Sequence, residues 1–207
     1  MDAGLAPFIT AFVTLFVIVD PIGLAPLFVA LTQGMTPEHR RAIAIRATLI
    51  GAALLTLFGL AGEAVLGFVG ISMPAFRIAG GILLFLTALD MLFERRKKRR
   101  EDQASHTDDP SVFPLATPLI AGPGALATMI LLTGEAPGDW GWIAAIHLVM
   151  AAVMAVTFAF FLAAGLIERA LGPTGINVVT RLLGMLLAAL SVQFVLDGVR
   201  TIGLGAG

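Results

Sequence analysis

Two pairs of prolines interrupt long apolar segments of this chain. Pro21 and Pro26 lie five residues apart in one segment, and Pro118 and Pro123 lie five residues apart in another. A proline inside a helix removes a hydrogen bond and clashes with the preceding turn, at a cost of about 3 kcal/mol. A membrane helix tolerates such a break only where other groups satisfy the freed backbone. Interrupted segments at matching places in two halves indicate the binding site of a transporter.

Composition places the chain in a membrane. Of its 207 residues, 58% are hydrophobic and 13% are charged, whereas about 25% of the residues of a soluble domain are charged. The charges cluster, and the apolar runs between them reach the ~20 residues that a helix needs to cross a bilayer. A soluble helical bundle would need polar helix faces, which these segments mostly lack. We therefore predict an all-α, polytopic membrane bundle.

The apolar runs predict six transmembrane helices, of which the first and fourth are broken by the proline pairs. They cover residues 5–32, 42–69, 74–93, 113–133, 141–167 and 177–203. We predict a single transmembrane domain, 1–207, with one half at 1–93 and the other at 113–207. The polar loop 94–112 divides the two halves.

The lysines and arginines predict the orientation of these spans. All but two of the 13, Arg77 and Arg200, fall on one side. Because basic residues accumulate on the cytoplasmic side, we predict a cytoplasmic loop at 94–112 and both termini outside. The basic run 95–100 is interpreted as an anchor for this orientation, and contact with anionic membrane lipid is the alternative.

The two halves also resemble each other in sequence. Glu63–Gly67 recurs as Glu168–Gly172, and Arg77–Gly80 recurs with the same spacing as Arg181–Gly184. Each half holds three predicted spans, and because three is an odd number the two copies must cross the membrane in opposite directions. The pattern predicts two inverted three-helix repeats, with a site at their interface near the bilayer midplane.

Several motifs, in the same order, resemble those of the MarC family, also called the neutral amino acid transporter family. The matching segments are Asp20–Gly23, Gly70–Gly81, Pro118–Gly124, and Gly175–Asn177 followed by Asp197–Gly198. The resemblance covers almost the whole chain outside the loop. It implies a multi-pass protein of the bacterial inner membrane, within the wider LysE-like superfamily, some of whose members resemble carriers of glycine and other small neutral amino acids. This chain departs from the family at position 24, where a leucine replaces the common asparagine.

The broken segments are the predicted binding site. Asp20 precedes Pro21 and Thr117 precedes Pro118, and each pair has the N-cap and first-turn residues of a new helix. The unpaired N–H groups and partial positive charge of a helix start suit the carboxylate of an amino acid. Glycines in the breaks would let a compact ligand approach the backbone. The predicted substrate-binding residues are Asp20, Pro21, Gly23, Thr117, Pro118, Gly122, Pro123 and Gly124.

Asp20 has three interpretations. A charge in the middle of a span costs about 2.5–3.5 kcal/mol on insertion scales. The carboxylate therefore either binds a substrate ammonium, takes up a coupling proton, or serves only as a helix cap. The sequence does not rank these roles.

His147 leads a stripe of small residues on the fifth predicted span. The stripe has i+4 spacing and consists of Ala151, Ala155, Ala159 and Ala163. Small residues let membrane helices approach closely, so we expect this face to pack inward. His147 is interpreted as a hydrogen-bonding residue at this interface, with a proton relay as the alternative. Asp197 and Arg200, three residues apart, predict a local ion pair.

These observations predict a secondary transporter of small neutral amino acids, of the glycine, alanine and serine class, with a proton or sodium ion as candidate coupling ion. The alternative is an exporter of drugs or other small hydrophobic compounds. Hydrolase and metalloprotease motifs and a P-loop are missing, so we expect no enzyme activity and no direct drive by ATP. We expect a zwitterionic substrate and membrane lipid as partners, with no cofactor, no metal site and no nucleic acid. The oligomeric state is left open.

Overall fold

The computed structural model describes residues 4–93 and 109–203, and every regular element in these two ranges is a helix. The helices are α1 (Ala6–Val19), α2 (Pro21–Leu31), α3 (Pro37–Val69), α4 (Met73–Leu92), the irregular α5 (Ser111–Ile120), α6 (Pro123–Thr133), α7 (Trp140–Leu162) and α8 (Ala164–Thr201). The predicted all-α membrane bundle is therefore confirmed. Most of the loop 94–112, including the basic run 95–100, lies outside the described residues.

Five segments are long and apolar enough to cross a membrane. They are α1 with α2 as one span of 26 residues, α3, α4, α7, and residues Arg169–Thr201 of α8. The pair formed by α5 and α6 is bent by 54° and supplies the sixth span if it crosses as a unit. The first and fourth predicted spans are thus the ones that contain a break.

Two predicted helix boundaries were wrong. Helix α3 begins at Pro37 instead of residue 42, because the Thr36 side chain accepts a hydrogen bond from the His39 N–H (3.3 Å) and proline suits the first turn. The fifth span ends at Leu162, and α8 begins at Ala164 and continues past Gly172. Gly172 has a φ of 61°, which glycine adopts without strain, and it kinks α8 before the predicted sixth span.

The two halves pack against each other through corresponding helices. The most extensive interface joins α4 to α8, the third spans of the two halves. Helix α3 of the first half packs on α5 and α6 of the second half. Helix α7 of the second half packs on α1 and α2 of the first half. The pairing of α4 with α6 is likewise matched by that of α8 with α2. A two-fold relation between the halves requires such reciprocal pairing, whereas their opposite direction in the membrane stays a prediction.

Glycines on α3 allow the second broken segment to pack closely. A β-carbon added at Gly51 would lie 2.6 Å from Ile120, and one at Gly59 would lie 2.9 Å from Met129. A β-carbon at Gly62 would overlap the Ile130 side chain. Small residues serve this purpose in membrane helices because association there depends on close packing. This glycine face was not among the predicted helix interfaces.

The prediction for the alanine stripe on α7 was wrong. Ala151, Ala155 and Ala159 are exposed on the outer surface of the bundle. The buried face of α7 consists of Ile146, Met150, Val153, Met154, Thr157 and Phe161. Larger side chains are needed there to fill the space between helices, as in the stack of Phe161 on Phe28 at 4.6 Å between ring centroids.

A new leucine is expected to destabilise the protein on the glycine face of α3 but not on the exposed face of α7. Gly62→Leu is expected to destabilise the protein by about 1–3 kcal/mol, because added volume in a close contact forces strain. Gly67→Leu, on the same helix, places its β-carbon where no atom lies within 4 Å, and Ala155→Leu places its side chain on the exposed face. Thermal unfolding in detergent should show a lower midpoint for Gly62→Leu alone. Equal midpoints for all three variants would contradict the packing described.

Candidate functional site

A single residue forms the first break. Asp20 lies between α1 and α2 with φ 58° and ψ 62°, a left-handed conformation. Its N–H donates to the Phe16 carbonyl (2.9 Å) and completes α1. Its side chain accepts a hydrogen bond from the Gly23 N–H (3.0 Å) and caps α2, in which Pro21 takes the first position. Asp20 is fully buried, and its predicted role as a cap is confirmed.

The Asp20 cap determines which residue fits at position 23. A β-carbon on Gly23 would overlap the Asp20 carboxylate, so glycine is required there by the protein's own side chain. Pro21 and Leu24 are both buried, and Leu24 has no exposed surface. The leucine that departs from the family pattern therefore belongs to the hydrophobic core.

The second break lies farther along the chain than predicted. Thr117 is exposed and has an extended backbone (φ −133°, ψ 124°) that kinks the irregular α5. Only Pro118, Leu119 and Ile120, less than one helical turn, follow this kink before α5 ends. A regular helix, α6, begins instead at Pro123, with Gly122 as its N-cap and no side chain capping it. A residue before proline is biased toward extended structure, and this bias accounts for the kink at Thr117.

The breaks lie beside each other in the bundle. A β-carbon on Gly124 would lie 2.9 Å from Ile18 Cδ1 and 3.5 Å from Leu84 Cδ2. The start of α6 therefore packs directly on the last turn of α1 and on α4. A β-carbon on Gly122 would lie 2.5 Å from the Pro118 carbonyl oxygen, so the absence of a side chain there is a local requirement. The binding roles of these residues stay predictions.

A cavity of about 170 Å³ opens near the predicted outer ends of the helices. We call it the Glu135 cavity. It is lined by Pro7 and Thr10 of α1, Leu132 of α6, Glu135 beyond α6, and Leu190, Gln193, Phe194 and Asp197 of α8.

Two helices, α1 and α6, extend from the Glu135 cavity to the breaks. Thr10 lies eight residues before Ile18 on α1, and Leu132 lies eight residues after Gly124 on α6. At 1.5 Å per residue, each helix covers about 12 Å between the cavity and the contact of the breaks. Helices α1 and α6 are in contact with each other.

Acidic and amide groups give the cavity its polarity. Burial raises the pKa of Glu135, the positive charge of Arg77 opposes this shift, and the negative charge of Asp197 adds to it. Asp197 Oδ1 accepts a hydrogen bond from Gln193 Nε2 (2.8 Å) and lies 3.8 Å from Arg200 Nη1. The predicted pair of Asp197 and Arg200 is therefore present, although at a long distance.

Sequence reasoning missed Glu135, Gln193 and Thr10 as members of one site. The only usable signal was the i, i+4 spacing of Gln193 and Asp197, which places both on one face of α8. Glu135 lies just beyond α6, where no periodic pattern can assign a direction to its side chain.

His147 makes its hydrogen bond within its own helix. Its Nδ1 lies 2.7 Å from the Ile143 carbonyl oxygen, and because a carbonyl only accepts, Nδ1 carries the proton. Nε2 is buried and has no hydrogen-bond partner among the described residues, and it would lie 3.0 Å from a β-carbon on Gly59. The histidine thus packs against the glycine face of α3, and its role as a relay stays a prediction.

On the predicted cytoplasmic side, an ion pair joins α3 to the start of α5. Arg46 Nη1 lies 2.8 Å from Asp109 Oδ2. The Ser111 N–H donates to Asp109 Oδ1 (3.0 Å), and this hydrogen bond is the main reason that the pKa of Asp109 is lowered. Within the described ranges, no group of three His, Asp or Glu side chains could hold a metal ion.

Comparison with known proteins gives concordant results. A family model described as "MarC family integral membrane protein" matches residues 5–203. A UPF0056 membrane protein of Archaeoglobus fulgidus is 39% identical over 92% of this chain and 91% of its own length. The UPF0056 inner membrane protein YhgN of Escherichia coli K12 is 38% identical over 93% and 95%. YvbG of Bacillus subtilis, a UPF0056 membrane protein, is 37% identical over 91% and 92%. No solved structure matches the chain.

Proposed function

Because the chain belongs to the MarC family of integral membrane proteins, we propose that it is a secondary transporter of small neutral amino acids, of the glycine, alanine and serine class. The observation that carries this proposal is the contact of two helix breaks inside a multi-pass bundle, between Ile18 and Gly124. Discontinuous helices in transporters commonly meet where the substrate binds.

The two helix starts differ in a way that suits a zwitterion. The start of α2 already holds the Asp20 carboxylate, whereas no side chain caps the start of α6 at Gly122. An uncapped helix start attracts a carboxylate through its N–H groups and partial positive charge. We assign the substrate carboxylate to the start of α6 and the substrate ammonium to Asp20, since a carboxylate accepts several hydrogen bonds.

Small dimensions support an amino acid over a drug. The Glu135 cavity measures about 170 Å³. Pockets for drug-sized ligands are larger, about 300–1,000 Å³. A hydrophobic drug also carries no carboxylate for the uncapped start of α6, so the exporter of drugs is the weaker alternative.

We also propose an orientation of the protein in the membrane and an ion gradient that drives transport. We place both termini outside and the loop 94–112 in the cytoplasm, in accord with the distribution of basic residues. The matching protein of Escherichia coli is named an inner membrane protein, and we propose the same membrane type for this chain. A proton or sodium gradient drives transport, and the protein catalyses no chemical reaction.

Transport by purified protein in liposomes tests this function. We expect saturable uptake of labelled glycine, alanine or serine that responds to an imposed proton or sodium gradient and shows counterflow. A channel would give non-saturating flux without counterflow. Uptake of hydrophobic drugs with no amino acid in the panel transported would favour the exporter and contradict the proposal.

A further inference from the structure

We propose that the contact between α1 and α6 is a gate, which closes the way from the Glu135 cavity to the two breaks and opens during each transport cycle. We call this contact the α1–α6 seam. The role of the gate in transport rests on the proposed function. The opening itself does not, because the reactivity of buried positions in the seam can be measured without transport.

The α1–α6 seam extends from the cavity to the breaks. At one end, Thr10 of α1 and Leu132 of α6 line the cavity together. At the other end, a β-carbon on Gly124 of α6 would lie 2.9 Å from Ile18 Cδ1 of α1. From the cavity to the breaks the residue numbers rise on α1 and fall on α6, so the two helices are antiparallel in the seam.

Two threonines occupy the middle of the seam. Thr14 lies four residues from each of the two α1 residues at the ends, and Thr128 lies four residues from each of the two α6 residues. Because residues four apart share one face of a helix, Thr14 and Thr128 face each other halfway between the cavity and the breaks. Both residues are fully buried.

The cavity is open, whereas the seam is closed. Thr10, Glu135 and Gln193 at the cavity are exposed, and the burial of Thr14 and Thr128 begins one helical turn deeper. A ligand in the cavity therefore reaches the breaks along this route only when α1 and α6 part. The two helices belong to different halves of the chain, and transporters built from two repeats alternate access by moving one repeat against the other.

The seam can open without breaking the hydrogen bonds of its two threonines. Thr14 Oγ1 donates to the Thr10 carbonyl and Thr128 Oγ1 donates to the Gly124 carbonyl, each at 2.8 Å. Both bonds lie within one helix and persist when the helices part. Each hydroxyl oxygen retains acceptor capacity, so the open seam would present hydrogen-bond acceptors to water and to the substrate ammonium.

The helices of the seam end at the breaks, which suit the role of hinges. Asp20 ends α1, and Gly122 precedes α6. Hinges are commonly a few residues at the ends of elements that absorb the change in backbone angles. The interface of α4 with α8 is far more extensive than the seam, and a β-carbon on Gly81 would lie 2.8 Å from the Ser191 carbonyl oxygen. We therefore expect motion at the seam and a fixed α4–α8 interface.

Cysteine crosslinking tests the gate. The chain contains no cysteine, so an introduced pair reacts without background. We would prepare the double variant Thr14→Cys/Thr128→Cys in liposomes and crosslink it by oxidation or with a short bifunctional methanethiosulfonate. The crosslink should reduce glycine uptake at least tenfold, and a reducing agent should restore it.

A crosslink across the fixed interface is the control. A β-carbon on Gly184 would lie 3.0 Å from Met91 Cβ, so Met91→Cys/Gly184→Cys joins α8 to α4, and its crosslink should leave uptake unchanged. If the seam variant does not fold, Thr10→Cys/Leu132→Cys at the cavity end of the seam is crosslinked with the same expectation.

Reactivity toward a cationic methanethiosulfonate gives a second measurement, on purified protein in detergent. Thr128→Cys should react at least tenfold faster than Met129→Cys. Both positions are fully buried, but Met129 packs against α3, where a β-carbon on Gly59 would lie 2.9 Å from Met129 Cε. Only the position in the seam becomes accessible when the gate opens.

Three results would overturn the gate: full uptake by the crosslinked Thr14→Cys/Thr128→Cys variant, failure of this pair to crosslink with either reagent, or equal reactivity of Thr128→Cys and Met129→Cys. The gate and the transport function fail separately. The expected reactivity in a protein that transports no amino acid would refute the transport function alone. Amino acid uptake that persists in the crosslinked seam variant would refute the gate alone.

Discussion

Gly124→Ala is expected to destabilise the protein and to impair transport, because it disturbs a contact between the two halves of the bundle. The new β-carbon would lie 2.9 Å from Ile18 Cδ1 and 3.2 Å from Ile18 Cγ1, closer than two carbon atoms pack. Strain of this kind costs about 1–3 kcal/mol. Because the same contact aligns the start of α6 with the end of α1, transport should fall at least tenfold. Unfolding in detergent and uptake into liposomes measure the two effects.

A second substitution can show that the contact itself is responsible. Ile18→Ala removes the atoms that the new methyl group would strike, so the double variant should be less destabilised than the two single effects added together. A coupling energy of about 0.5–3 kcal/mol is typical of residues in contact. Gly165→Ala, whose β-carbon would have no atom within 4 Å, is the control. Strict additivity of Gly124→Ala and Ile18→Ala would mean that the breaks do not touch.

The outcomes at the two breaks show how far local sequence determines this fold. Asp20 was predicted correctly as a cap because aspartate followed by proline is a local signal that needs no other part of the chain. At the second break the same rule fits both Thr117-Pro118 and Gly122-Pro123. The actual start of α6 depends on contacts between distant residues, such as Gly124 with Ile18, and no local pattern contains them.

The error at the alanine stripe has a different cause. Periodic spacing shows that Ala151, Ala155 and Ala159 share one face of α7, and this was correct. In a soluble protein, hydrophobicity would then separate the inner from the outer face. In a membrane the lipid is as apolar as the core, so the pattern does not tell which face is buried. The number of apolar spans and their approximate length were predictable for the same chain because they depend on bilayer thickness and not on this contrast.

Asp20→Asn is expected to separate the structural role of Asp20 from its functional role. Asparagine adopts the left-handed conformation that Asp20 has at φ 58°, and its side-chain oxygen can still accept the Gly23 N–H. Folding should therefore be nearly unchanged, by less than about 1 kcal/mol, because asparagine and aspartate are similar N-caps. Transport should fall at least tenfold or lose its pH dependence, because the negative charge for the ammonium or proton is gone.

Asp20→Ala provides the contrast. It loses the capping oxygen, at about 0.5–2 kcal/mol, and must strain an alanine into the left-handed region, at about 1–2 kcal/mol. A protein that uses Asp20 only as a cap would be damaged by Asp20→Ala and would be indifferent to Asp20→Asn. A protein that uses its charge would lose transport in both variants but stability in only one. Wild-type affinity and pH dependence in well-folded Asp20→Asn would therefore show that Asp20 is only a helix cap. The uncapped start of α6, with its partial positive charge, would then be the group in the breaks that recognises the substrate.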